Sequence, residues 1–226
     1  SPVAALLFGQ MFGYENMITA DMGGTSFDCC LVSQGSIKVV KNVDVQRYRV
    51  SVPMVDVTTL GAGGGSIAWI DERGLLRVGP QSAEAFPGPA CYNRGNEQPT
   101  VTDANVTLGY FSPSYLLGGR MPINGKLSGK AIREKIGHPL GISEEEAALA
   151  IFTIVNNNMA NAMKRISTER GYDTRDFVLV AAGGCGSAHV GRLAEALEIP
   201  IVLIPKVASL LCAFGAVVSD VRHDYT

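Results

Sequence analysis

No run in this 226-residue sequence is apolar for long enough to cross a bilayer. The two most apolar stretches, residues 1–12 and 207–218, fall well short of the ~20 residues that a spanning helix needs, so no membrane partner is expected. Charge is scarce too. A formal net charge of −2 gives no field to draw in nucleic acid or an anionic surface, and both are set aside as partners. The five cysteines, Cys29, Cys30, Cys91, Cys185 and Cys212, contain no C-x-x-C pair and are odd in number. That usage argues against a disulfide framework and fits reduced thiols in a cytoplasmic protein. Residues 1–12 also lack a basic start, a cleavage-like end and an initiator Met. They make a poor signal peptide and read as a helix cut from something longer. Hydrophobic residues make up 46% of the chain, enough for a core that folds without staples.

What is present centres on Asp21-Met22-Gly23-Gly24-Thr25-Ser26-Phe27-Asp28. An apolar run at 17–20 ends in a carboxylate, two glycines, two hydroxyls and a second carboxylate, and apolar residues resume at 29–32. This is the outline of a strand, a tight turn and a second strand. Glycines at such a tip leave no Cβ in the way, so several N–H groups can face one small anion such as a nucleotide phosphate. Asp21 is placed to hold a metal or orient a water, while Thr25 and Ser26 donate to phosphate oxygens. The same string also reads as a polar turn that binds nothing.

Further along, β-branched residues at 37–43 and 50–57, separated by Asp44, Gln46, Arg47 and Arg49, predict more antiparallel strands. Gly61-Ala62-Gly63-Gly64-Gly65-Ser66 satisfies a dinucleotide fingerprint on paper through Gly63-x-Gly65-x-x-Ala68. The residues after it read as a strand, however, so the dinucleotide reading fails. A structural crossing or a close approach to a ligand remains open. Residues 75–124 are rich in proline and glycine and predict a loop-rich insertion. There Thr102 or Asp103 is expected to cap a short helix through Leu108. A metal site of Cys91, Asp103 and His189 is conceivable, against the simpler reading of Cys91 as an inert buried thiol.

A helix is predicted over 126–136, ending before Gly137 and Pro139. A second, long helix opens on a Ser143-x-x-Glu146 capping box and runs to about residue 169, with Gly171 as its stop. Asn156, Asn157, Asn158 and Asn161 interrupt its apolar stripe, facing either solvent or a cleft. An apolar strand at 177–182 then enters Gly183-Gly184-Cys185-Gly186-Ser187, followed by a helix over about 187–197. That glycine turn at a helix N-terminus is a second candidate anion site. A strand at 201–204, a helix over 208–218 and a polar end, 220–226, close the chain. The order of elements predicts an α/β, ribonuclease-H-like mixed sheet flanked by helices, as in each half of the actin, sugar kinase and Hsp70 ATPases.

Several blocks together resemble the hydantoinase A/5-oxoprolinase family, which includes N-methylhydantoinase, caprolactamase, and acetone and acetophenone carboxylase subunits. They are Asp21 to Ser26, Gly61 to Ser66, Val78-Gly79-Pro80-Gln81-Ser82-Ala83, Pro87-Gly88-Pro89-Ala90-Cys91-Tyr92 and Pro99-Thr100-Val101-Thr102-Asp103-Ala104-Asn105, followed by Gly118-Gly119-Arg120-Met121 and Asp220-Val221-Arg222-His223-Asp224-Tyr225. The resemblance runs almost end to end and implies one hydantoinase A-type domain over 1–226. It implies the second lobe of a two-lobed ATPase, whose preceding lobe is a partner absent from this sequence. The implied activity is that of an ATP-dependent hydrolase or carboxylase. A cyclic amide (hydantoin, oxoproline or lactam) or a ketone enol is phosphorylated for reaction with a hydantoinase B-type subunit or domain. ATP and Mg²⁺ are the implied cofactors. Asp21, Asp28 and Asp56 are the candidate catalytic carboxylates, with Asp21 also the metal ligand. Gly23, Gly24, Thr25 and Ser26 would hold phosphates, and Gly183, Gly184, Gly186 and Ser187 would border adenosine. Thr58 stands where the family often has His, and Cys185-Gly186-Ser187 where Ala-Gly-Pro is common; Glu84 and Phe86 alter a further block. A non-catalytic assembly module and a small-molecule kinase lobe are the alternatives.

Overall fold

The computed structural model describes residues 1–41, 43–45, 48–51 and 53–220. α1 (Pro2–Phe12) stops where Gly13 takes a left-handed φ of 77°. There the N–H groups of Gly13 and Tyr14 return to the carbonyls of Gln10 and Gly9. β1 (Met17–Met22) and β2 (Phe27–Ser33) follow as an antiparallel hairpin with Asp21 opposite Asp28. β3 (Ser36–Ile37) continues beside β2.

The antiparallel strands predicted at 37–43 and 50–57 are present, but in short pieces and apart from the main sheet. They break into β4 (Val39–Val40), β5 (Val43–Val45), β6 (Tyr48–Val50) and β7 (Met54–Val55), which among the described residues pair β4 with β7 and β5 with β6, apart from the main sheet. Among the described side chains of these strands none is buried, and Val39, Tyr48 and Met54 are exposed, so these offer no buried apolar face to lay against the sheet. Gln46 and Arg47, which the sequence reading placed between these strands, lie outside the described residues, as does most of the polar end over 220–226. β8 (Val57–Leu60) returns to β2 and places Thr59 opposite Asp28.

β9 (Ser66–Ile70) and β10 (Leu76–Ser82) form a separate hairpin. The loop-rich stretch then carries α2 (Val101–Thr107) and the small pair β11 (Tyr115–Leu116) and β12 (Met121–Pro122). α3 (Gly125–Ile132) does not end before Gly137 as expected. It passes through a π-helical turn, Arg133–Gly137, into α4 (His138–Leu140), so that Pro139 sits near the C-terminal end of one continuous helical run. α5 (Glu144–Ile166) opens on the predicted capping box: Glu146 N–H donates to Ser143 Oγ at 3.2 Å and Ser143 N–H to Glu146 Oε2 at 2.8 Å. It ends three residues before the predicted 169, and a short 3₁₀ turn, Thr168–Arg170, fills the gap up to Gly171 at φ 83°.

β13 (Val178–Ala182) leads directly into α6 (Gly183–Ala196), then β14 (Ile201–Leu203) and α7 (Leu211–Val217). α6 thus begins at Gly183 rather than near Ser187, because the glycine run itself forms the first helical turn. The main sheet runs β14-β13-β1-β2-β3 with β8 also on β2, and β13 lies parallel to both β1 and β14. Three antiparallel strands, then helix-linked parallel ones, make this a ribonuclease-H-like mixed sheet.

β1 shows why its sequence is apolar on both sides of the alternation. Ile18, Ala20 and Met22 point into a cluster with Ile151, Val155, Met159 and Met163 of α5 and Val190 and Leu193 of α6. Met17 joins Val178 and Val180 against Ala4 and Ala5 of α1 and Leu211 of α7. Helices cover both faces, so both are mostly apolar, and the buried Thr19 is accommodated because its Oγ1 accepts from Cys30 N–H at 3.1 Å. Each large side chain fully buried this way contributes about 1.5–3 kcal/mol. The result is a rigid central strand whose C-terminal end presents Asp21. Among the described residues, no helix is long and apolar enough to cross a membrane.

Candidate functional site

The C-terminal ends of β1 and β13 lie side by side, with Asp21 in register with Ala182. This brings the two glycine corners together although they are far apart in sequence. Gly183 sits at φ 78°, and a Cβ there would stand 2.2 Å from the Met22 carbonyl oxygen and 2.7 Å from Asp21 Oδ1. Only glycine lets α6 start this close to the strand end. The first hairpin is closed by Gly23 N–H donating to the Ser26 carbonyl at 3.0 Å.

The third glycine stretch, left open by the sequence, is a backbone crossing. Gly64 and Gly65 donate their N–H groups to the carbonyls of Gly23 and Gly24 at 3.0 and 2.6 Å. A Cβ on Gly63 would lie 2.6 Å from Thr25 N. Thr102 N–H in turn donates to the Gly64 carbonyl at 2.7 Å, tying α2 to the same corner. Three glycine segments are stacked here, and each fixes the next. By contrast, a Cβ on Gly24 or Gly184 would meet nothing within 4 Å. Thr25 and Ser187, beside these two open glycines, are also exposed. α6 has no side-chain cap, so the N–H groups of its first turn keep donor capacity. The corner is thus closely packed behind and open in front.

The candidate carboxylates divide. Asp21 is partly exposed, and its Oδ2 accepts a hydrogen bond from the Cys212 thiol at 2.9 Å. Asp28, across the hairpin, accepts from Thr59 Oγ1 at 2.5 Å on Oδ1 and from Ser26 Oγ at 3.4 Å on Oδ2. Asp56 is not brought to this corner. It lies three residues before Thr59, about 10 Å along the strand direction. There it pairs with Arg170 at 2.7 Å and Lys38 at 3.3 Å. Partial burial works to raise the Asp56 pKa, but the Arg170 guanidinium and Lys38 outweigh it and hold the carboxyl below its ordinary value. Nothing in the sequence marks Thr59 or Cys212 as neighbours of these carboxylates; the fold alone brings them there.

Behind the corner lie two polar clusters. Asp103 is fully buried and takes five hydrogen bonds: from the N–H groups of Ala90, Cys91 and Thr100 and the hydroxyls of Thr100 and Ser128, at 2.7–3.0 Å. Thr100, not Thr102 or Asp103, is the N-cap of α2, and Asp103 completes the capping box from the third position. Cys91 meets Asp103 through its backbone, and burial pushes its thiol pKa far up, as expected of an inert thiol. Among the described residues, no three metal-ligating side chains cluster.

His189, on α6, is fully buried between Asn105 of α2 and Asn156 of α5 and stacks on Phe152 with ring centroids 4.8 Å apart. Burial lowers its pKa to about 4, so the ring is neutral. The Asn156 amide NH₂ donates to the Phe152 carbonyl at 2.7 Å and to His189 Nδ1 at 3.1 Å, so Nδ1 accepts and Nε2 carries the proton. The Asn105 amide must then present its oxygen to Nε2. Of the asparagine cluster, only Asn156 faces inward; Asn157, Asn158 and Asn161 are solvated.

The sequence profile of the hydantoinase/oxoprolinase family matches residues 2–225. Caprolactamase subunit alpha of Pseudomonas jessenii is 55% identical over 99% of this chain and 32% of its own length. The acetophenone carboxylase gamma subunit of Aromatoleum aromaticum is 45% identical over 99% of this chain and 31% of its own. The crystal structure of the ATP-dependent caprolactamase from P. jessenii superposes with a TM-score of 0.90 over 98% of this chain and 32% of that one. Nucleotide-free acetone carboxylase, 32% identical, superposes with a TM-score of 0.89 over 96% and 31%. The chain spans about a third of the length of these relatives. Profile, relatives and superposed structures agree that the chain belongs to the hydantoinase/oxoprolinase family.

Proposed function

We propose that this chain is the second lobe of a cytoplasmic two-lobed ATPase, and that the corner at Asp21 binds the phosphates of ATP with Mg²⁺. The observation that carries the reading is the meeting of residues 21–26 and 183–187 at one end of the sheet, with the Cβ sides of Gly24 and Gly184 open. Close approach of a phosphate needs that opening. Backbone N–H groups of residues 24–26 and of the first turn of α6, with Thr25, Ser26 and Ser187, are the donors that would hold phosphate and sugar oxygens. Asp21 and Asp28 supply hard oxygen ligands from one side, which suits Mg²⁺, an ion commonly shared between one or two carboxylates and the substrate's own phosphates. Bound ATP would supply a phosphoryl group. The chain's own part is positioning and neutralisation of charge. Asp56, apart from the corner, is assigned to ion pairing.

ATP dependence belongs by name to both the caprolactamase and the acetone carboxylase relatives, one acting on a lactam and the other on a ketone. An amide carbonyl is a poor electrophile and an unactivated ketone a poor nucleophile. Placing phosphate on the carbonyl or enol oxygen answers both needs. We therefore assign a cyclic amide (hydantoin, N-methylhydantoin, oxoproline or lactam) or a ketone enol as the substrate class. A hydantoinase B-type subunit or domain would complete the reaction. The test is ATP turnover by the full-length protein with its partner and by its Asp21→Asn variant. Turnover is expected to fall about a hundredfold, with assembly and melting temperature unchanged. Undiminished turnover overturns the reading, and loss of assembly instead points to a structural module.

A further inference from the structure

Asp21 has two oxygens, and the structure holds one of them. Oδ1 occupies space that the missing Cβ of Gly183 leaves free, 2.7 Å from where that atom would stand, and Oδ2 receives the Cys212 thiol at 2.9 Å. We infer that Cys212 is a positioning residue for the phosphate corner: its S–H holds the Asp21 carboxylate in one rotamer, facing the open side of Gly24 and Gly184. This rests on the nucleotide reading above.

The thiol's place is set by packing and not by its own bond. Leu211, the residue before it, is buried against β13 and α1, and Gly215 lets α7 approach Ala4 to 3.4 Å, measured from its missing Cβ. α7 is therefore docked independently, and Cys212 reaches Asp21 from a fixed platform. A carboxylate at a strand end would otherwise rotate about χ1 and χ2, and a ligand-binding oxygen that samples several positions loses effective concentration at the useful one. The other side of Cys212 is exposed, so the thiol can be labelled from solvent. An acetamide group added there would stand where the bond to Asp21 now runs. The cysteine is thereby a reporter of the corner as well as a part of it.

The experiment uses the full-length protein in four forms: wild type, Cys212→Ala, Cys212→Ser and Asp21→Asn. Loss of one hydrogen bond to a charged acceptor predicts about a tenfold drop in kcat for Cys212→Ala with KM for ATP little changed. The serine hydroxyl of Cys212→Ser restores turnover to within about twofold of wild type, since it donates to the same oxygen. Labelling of Cys212 by iodoacetamide, followed by mass spectrometry, is slowed by ATP with Mg²⁺, a readout independent of turnover. Wild-type turnover in Cys212→Ala, or labelling indifferent to nucleotide, overturns the inference while an inactive Asp21→Asn keeps the nucleotide reading. A fully active Asp21→Asn overturns both. If Cys212→Ala does not fold, the labelling rate and Cys212→Ser decide alone.

Discussion

Asp21 and Asp103 each have a threonine within two residues, yet the fold treats the two aspartates in opposite ways. Asp103 is wholly buried and has five neutral donors on its two oxygens. Asp21 is partly exposed, and one thiol is its hydrogen-bond partner. A saturated carboxylate has no lone pair left to offer a ligand; its role is to gather chain. Asp103 gathers residues 90, 91, 100 and 128, which explains why the Pro-Gly-Pro-Ala-Cys and Pro-Thr-Val-Thr-Asp blocks occur together. An undersaturated carboxylate at an open corner keeps its lone pairs for something that arrives. Burial with satisfied bonds marks scaffold, and exposure with spare capacity marks a site.

The largest effect that would sharpen this contrast is on stability. Replacing Asp103 by Ala leaves several buried donors without an acceptor and is expected to cost about 4 kcal/mol, read from the urea midpoint of the full-length protein. A loss under about 1 kcal/mol would show that Asp103 is not the scaffold's centre.

Next comes the buried histidine behind the same corner. Above pH 6.5 the imidazole is neutral in both folded and unfolded chains, so pH has no effect through it. Between 6.5 and about 4 only the unfolded chain takes up the proton, and stability falls as pH falls. The drop is about 3 kcal/mol across the window. Denaturation midpoints from pH 7 to 4 should show this slope in wild type and lose it in His189→Gln. Equal slopes would place the acid sensitivity elsewhere.

Glycines divide as the aspartates do. Gly63→Ala must push a methyl into the backbone at Gly24 and Thr25, 2.6 Å away, and is expected to destabilise by about 2 kcal/mol. Gly184→Ala meets nothing, and a helical alanine in place of glycine should leave stability equal or raise it by about 0.5–1 kcal/mol. Any penalty of Gly184→Ala should therefore appear in nucleotide affinity and not in melting. If both variants lose stability alike, the closed and open sides of the corner are not distinct. The smallest effect is at Arg170. Its ion pair with Asp56 is solvent-accessible, so Arg170→Ala should cost no more than about 1 kcal/mol and leave turnover intact. A large loss of turnover would return Asp56 to the chemistry.

Much of the fold was legible because its signals are local. The Ser143–Glu146 capping box, the apolar β1 and β13 and the glycine tip at 23–24 each declare themselves within a few residues, and their order fixes the sheet. The strands expected at 37–43 and 50–57 form as antiparallel pairs, but their separation from the main sheet was not legible, because β-branched composition reports extended backbone and not which sheet it joins. The start of α6 was misplaced because glycine's low helix propensity hides a first turn that tertiary packing imposes. In the candidate site, both glycine corners were visible. Cys212, Thr59 and the Asn105–His189–Asn156 cluster were not, since each depends on contacts across 31 to 191 residues.

The most direct measurement is a crystal structure of the full-length protein with a non-hydrolysable ATP analogue and Mg²⁺. Its phosphate oxygens should lie about 3 Å from backbone N–H groups of residues 24–26, with the ion on the Asp21 side and the ribose toward Gly184. Phosphates bound elsewhere, with the space between Gly24 and Gly184 filled by protein, would contradict the account.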